Sequence, residues 1–149
     1  MNVNINAPLC AHKDTLINAS IAQVWETLTD INNWPAWQPD VSSARLEGPL
    51  NRGVIFRWKA MGLNITSTIQ ELSENKKIGW TGHSIGMQAI HIWTFEVLDG
   101  GAHVTTQESL DGWFPRLLKL FDRDFLDKSL SASLQVLKRE VERRERVSL

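Results

Sequence analysis

No tyrosine occurs in this chain, and cysteine occurs once. The lone Cys10 excludes a disulfide framework and a thiolate metal cluster, and it predicts a reducing, cytoplasmic setting. Long hydrophobic runs are missing too, so no integral membrane segment is expected. The opening MNVNINAPLCAHK is too polar for a signal peptide. Charge of one sign is not in excess: 16 Lys and Arg stand against 17 Asp and Glu, a net charge of −1. The two signs are mixed throughout, which leaves no basic face for nucleic acid. No HExxH, GxSxG, glycine-rich phosphate loop or paired-cysteine motif is present, and His12, His83 and His103 lack ligand-like spacing. The expectation is a protein with no metal and no cofactor.

Tryptophan is plentiful instead, with seven Trp beside five Phe in 149 residues. Trp is large and amphipathic; it fills cores and also lines pockets. The length suits one domain, residues 1–149, with a core that needs no staples. After a mobile start, His12 to Ala19 reads as a strand. Ser20 with Gln23 then forms a capping box for a helix over Ile21–Thr29. Asp30–Val41 is a helical turn broken by Pro35 and Pro39, with Trp34 and Trp37 three residues apart.

From Ser42 to Leu110 the period changes to two. Strands are expected at Ser42–Gly48, Val54–Met61, Leu63–Leu72, Ile78–Ser84, Gln88–Leu98 and Ala102–Leu110. Phe56, Trp58 and Ala60 share a face, as do Ile65, Ser67 and Ile69. His91, Trp93, Phe95 and Val97 form another such set, and Val104, Thr106, Glu108 and Leu110 another. Asp99-Gly100-Gly101 signals a hairpin between the last two strands. Short links between consecutive strands make an antiparallel meander.

The end of the chain, Trp113 to Arg146, predicts one long helix or two in tandem, opened by Pro115. Leu126, Leu130, Leu134, Leu137 and Val141 mark one buried face. Glu140 with Arg144, and Glu142 with Arg146, are spaced for ion pairs. Phe114, Leu117, Leu118, Phe121 and Phe125 form a second stripe, roughly 160° out of phase with the first. No glycine or proline marks a kink, which favours one helix with two buried faces. The second stripe packs on loops or on another copy of the chain in a homodimer, or it gates a pocket. A curved sheet needs this helix as its cover, and side chains cannot fill all the space between the two.

The order and the residue types together resemble the helix-grip (SRPBCC) superfamily of START-related lipid-transfer domains, pollen-allergen-like proteins and polyketide cyclases/dehydratases. The carrying segments are INASIAQVWETLTDINNWPAWQPDV, GVIFRWKAMG with TIQEL, KKIGWTG, IWTFEVLDGGAHVTTQESLDG and LQVLKREVE, spanning about Thr15 to Arg144. The chain is most similar to the small bacterial polyketide cyclase/dehydrase-like branch. The resemblance implies an α+β helix-grip fold, with a strongly curved antiparallel sheet of about seven strands in β-α-α-β6-α order. The sheet would wrap a long C-terminal helix around an internal apolar cavity.

What the resemblance implies about function is binding of a small hydrophobic or aromatic molecule, lipid-like or polyketide-like, between sheet and helix. The sheet would offer Phe56, Trp58, Ile69, Trp80, Trp93 and Phe95. The helix would add Phe121, Phe125, Leu126 and Leu130, and the broken turn Trp34 and Trp37. Polar orienting groups would be His91, Thr106 and Glu108. A carboxylate buried beside an imidazole could move protons, so a cyclase or dehydratase using His91 and Glu108 as catalytic residues is the alternative. Without tyrosine, a Tyr-centred mechanism is excluded as a model. A third reading is an interaction module that docks through the Phe114–Phe125 stripe.

Overall fold

Alternating apolar and polar residues carry the middle of the chain into a seven-stranded antiparallel sheet, and helical periodicity covers its concave side. The computed structural model describes residues 1–148. In chain order the elements are β1 (Leu9–Ile17), α1 (Ile21–Thr29), a 3₁₀ segment (Ile31–Ala36), β2 (Val41–Leu46) and β3 (Ile55–Ala60). Then follow β4 (Leu63–Ser73), β5 (Lys77–Ser84), β6 (Met87–Leu98), β7 (Gly101–Asp111), α2 (Trp113–Phe121) and α3 (Phe125–Ser148). The strand order is β1-β7-β6-β5-β4-β3-β2, so the meander runs from β2 to β7 and β1 closes onto its end.

Ser20 caps α1 as its chemistry requires: its side chain accepts the Gln23 N–H, and the Gln23 side chain accepts the Ser20 N–H at 3.0 Å. Register shifts at Val41/Ser43 and Ile69/Glu71 bend the sheet. The first strand begins earlier than the expected His12, because Leu9 and Ala11 pair with Leu110 and Glu108 and bury their side chains. The residues before it are not a loose start either. The Asn4 N–H donates to Ser109 Oγ at 3.0 Å, and the terminal amine lies 3.4 Å from Glu71.

Leu126, Leu130, Leu134, Leu137 and Val141 are all buried along α3. Glu140 holds Arg143 and Arg144, at 2.6 and 2.9 Å. The expected Glu142–Arg146 pair gives way to a different one: Glu142 takes Lys138 at 2.8 Å and the Asn18 N–H at 3.0 Å.

Of the two alternatives from Trp113 onward, two helices in tandem form, and the preference for one helix with two buried faces is corrected. The chain leaves α2 at Asp122, whose backbone is extended at φ −149° and ψ 91°. Asp122 Oδ1 accepts the Asp124 N–H at 3.2 Å, and Oδ2 holds Lys128 at 2.7 Å. A short carboxylate that bonds its own backbone two residues on ends a helix without glycine or proline. The break puts Phe114, Leu117, Leu118 and Phe121 on α2, while Phe125 opens α3 with the leucine stripe.

On the outer face His103 lies between two carboxylates, with Nε2 2.7 Å from Asp14 and Nδ1 2.8 Å from Glu96. These bonds, Asp14's first and Glu96's next, raise the imidazole's pKa above its ordinary value. A raised folded-state pKa stabilises the fold below the unfolded value of about 6.5, and this contribution is lost as pH rises through the folded value. His103→Gln should therefore lose most stability, relative to the parent, near pH 6, with the gap closing near pH 9. Urea unfolding of both proteins across that range measures it. A gap that is constant or widens with pH contradicts the cation.

Candidate functional site

The buried side chains divide into two clusters. The larger lies under α1 and the 3₁₀ segment and includes Trp25, Trp34, Phe56, Trp80 and Phe95. The smaller is Leu9, Ala11, Leu110, Leu126 and Leu130, with Met87, Ala89, Leu118 and Phe125 against it. Both clusters contribute wall to a pocket of about 170 Å³. Its floor is the concave face of β3 to β7, and its roof is α2 and α3. That volume is on the order of apolar cavities that hold one aromatic ring.

Each strand side chain reaches the pocket through the two-residue period. Trp80, His91, Trp93 and Glu108 all point to the concave side, as do Trp58 and Ser67. Trp58 is fixed by its indole N–H, which donates to Ser67 Oγ at 3.0 Å. Gly82 beside it leaves room for that hydroxyl, since a Cβ there would lie 2.8 Å from Ser67 Oγ. On α3, Phe125, Leu126 and Leu130 reach the pocket. Ser129 and Ser133 lie on the same wall, and their small side chains leave space that leucines would fill.

Hairpin pairing places His91 directly opposite Glu108. His91 Nδ1 lies 3.2 Å from Glu108 Oε2, and His91 Nε2 is 2.8 Å from Thr106 Oγ1. Thr106 is fully buried. Both ring nitrogens of His91 are thus engaged within the protein, and Glu108 is the carboxyl group at the pocket surface of this trio. Trp37 and Trp93, also in the wall, have buried indole N–H groups that reach no acceptor among the described residues. No group of three or more His, Cys, Asp or Glu is arranged to hold a metal among those residues.

Of the residues expected to line the pocket, Trp34, Trp37, Trp58, Trp80, His91, Trp93, Glu108, Phe125, Leu126 and Leu130 do. Five are corrected. Phe56 and Ile69 are fully buried core, and Phe95 packs edge-on against Trp25 of α1 at 5.7 Å. They share the correct face but lie at the end of the sheet that α1 and Trp34 plug. Thr106 stands behind His91 rather than in the wall. Phe121 points outward at 82% exposure.

The stripe on α2 therefore splits. Phe114 and Leu118 face the pocket, whereas Leu117, Leu120 and Phe121 face solvent, with Trp113 also largely exposed. Phe114, Leu118, Met87 and Ala89 were not predicted as wall residues. The i,i+4 spacing of Phe114 and Leu118 was the signal that could have found them. Nothing local revealed that the turn before Met87 carries the start of α2.

That attachment is close. The Phe114 N–H donates to the Gly86 carbonyl at 3.1 Å. Gly112 adopts φ 114° and ψ −179°, and a Cβ there would lie 2.2 Å from the Gly86 oxygen. Among the described residues, no helix is long and apolar enough to cross a membrane; this says nothing about strands.

Comparison with known proteins follows the same outline. Residues 10–142 match the family model described as polyketide cyclase/dehydrase and lipid transport. No curated protein matches the chain. Among solved structures, a hypothetical protein from Helicobacter pylori is similar at a TM-score of 0.82 and 16% identity, covering 93% of this chain and 91% of that one. The Zhui aromatase/cyclase from Streptomyces sp. R1128 is similar at 0.75 and 16%, covering 93% and 96%. A START superfamily protein from Mycobacterium smegmatis gives 0.74 and 14%, covering 90% and 97%. At these identities the structural likeness speaks for the fold.

Proposed function

Because the chain belongs to the polyketide cyclase/dehydrase and lipid transport family, we propose that it binds a small hydrophobic or aromatic molecule between the sheet and helices α2 and α3. The observation that carries this is the pocket itself, which divides the buried side chains into two clusters and is walled mainly by apolar groups. Aromatic walls with few polar groups bind apolar molecules by burial and orient them by those few groups.

An acid/base enzyme working through His91 and Glu108 is supported less well. Each nitrogen of His91 already faces a protein oxygen, at 2.8 Å and 3.2 Å, so the imidazole presents no free nitrogen to a bound molecule. A general base must come within hydrogen-bond reach of the proton it takes.

Native mass spectrometry of gently purified protein should show an excess mass that leaves on denaturation. Titration with aromatic alcohols, sterols and polycyclic aromatics should change tryptophan emission saturably, since Trp37, Trp58, Trp80 and Trp93 line the pocket. A clean apo mass together with flat emission across the whole panel would overturn the reading.

A further inference from the structure

We propose that the pocket selects neutral hydrophobic molecules bearing a hydroxyl group and rejects the matching carboxylates, with Glu108 as the residue that sets this specificity. The proposal rests on the ligand-binding reading above and adds the chemical class of the ligand.

The wall contains one carboxyl side chain largely withdrawn from solvent, Glu108, with Asp40 at the exposed rim, and no lysine or arginine among the described residues. An anionic ligand moved from water into an apolar space must find a cation or several donors there. Here it would meet charge of its own sign. The imidazoles do not compensate: His91 is held by Thr106 and Glu108, and His83 sits at the exposed rim, where water screens it. Fatty acids and aromatic acids are therefore the wrong ligands for this pocket, however well their carbon skeletons fit.

Glu108 keeps one acceptor oxygen free. His91 Nδ1 lies 3.2 Å from its Oε2, and among the described residues no N–H or O–H donates to Oε1. A ligand O–H would supply that donor, and a hydrogen bond to a carboxylate is about twice as strong as a neutral one. A ligand hydroxyl donates to it without carrying a charge into the apolar wall, whereas an ammonium would have to be stripped of its water and a ligand carboxylate would add a repelled charge.

Calorimetric titration of the whole protein at about pH 7.5 with 2-naphthol, naphthalene and 2-naphthoate tests this, since at that pH the naphthol is neutral and the naphthoate charged. We expect 2-naphthol to bind at least about tenfold tighter than 2-naphthoate, with naphthalene between them. Glu108→Gln keeps the shape and removes the charge, so the naphthol-to-naphthoate ratio should fall several-fold. Naphthoate binding as tightly as naphthol to the wild-type protein overturns the proposal, whether or not the variant folds. So does a ratio unchanged in the folded variant. If naphthalene binds and the order is wrong, only the selectivity fails. If none of the three binds, the ligand-binding reading fails and the selectivity falls with it.

Discussion

Replacing Phe56 by alanine should lower the free energy of unfolding by about 3–5 kcal/mol, the cost of a large cavity in a packed core. Phe56 is fully buried, with ring centroids 5.6 Å from Trp34, 5.4 Å from Trp80 and 6.2 Å from Trp58. Three indoles cannot all collapse into the space it leaves, because Trp34 and Trp58 are themselves pinned by indole hydrogen bonds to the Leu28 carbonyl and to Ser67. Against a total stability of about 5–15 kcal/mol for a domain of this kind, the loss is large. It should appear as a fall in melting temperature of about 10 °C or more. Phe121→Ala removes the same atoms from an exposed position and should change stability by no more than about 0.5 kcal/mol. Equal effects of the two changes would mean that the aromatic cluster at the α1 end is not the packed core described above.

Gly112→Ala should release α2 from the sheet. The residue occupies a backbone region that is essentially reserved for glycine, and an ordinary residue there costs about 1–3 kcal/mol. The alanine methyl would also sit 2.2 Å from the Gly86 carbonyl oxygen and 2.9 Å from its carbon. Both are backbone atoms, so relief requires the turn and the helix to part. The Phe114–Gly86 hydrogen bond is then lost, and Phe114 and Leu118 leave the pocket wall. Hydrogen exchange read on peptides over residues 112–124 should accelerate by at least about tenfold, while peptides over 130–141 stay protected. Unchanged exchange in the first segment would show that α2 is held by its apolar inner face alone.

Much of the scaffold could be read from the residues. Ser20 and Gln23 announced α1, the leucine stripe from Leu126 to Val141 announced the buried face of α3, and Asp99-Gly100 set the register that puts His91 opposite Glu108. These signals are local or periodic, and each is tied to one hydrogen-bonding pattern. The break at Asp122 was not legible in the same way. It depends on a side chain bonding its own backbone, and aspartate also occurs on the polar side of continuous helices.

The candidate site was legible by face but not by depth. A period of two says that Phe56 and Trp58, or Phe95 and Trp93, point to the same side. It does not say where along the strand the covering helix stops. That boundary is set by α1 and Trp34, which arrive from elsewhere in the chain. The contribution of Ser129 and Ser133 escaped for the opposite reason. Small polar residues on a helix read as surface unless the facing wall is known.

The division of the buried side chains has a dynamic consequence. α3 spans both clusters, with Leu134, Leu137 and Val141 in the larger one and Leu126 and Leu130 in the smaller. Few buried residues hold the smaller cluster together, and α2, beside it, buries only Pro115. Thermal opening is cheapest where the fewest apolar contacts must be broken. The molecule should therefore breathe at the end made by the start of β1, α2 and the first turns of α3, with the α1 end serving as a stationary anvil. A ligand bound as proposed would then enter and leave without global unfolding and without a dedicated door, because the weakest part of the architecture lies beside the pocket.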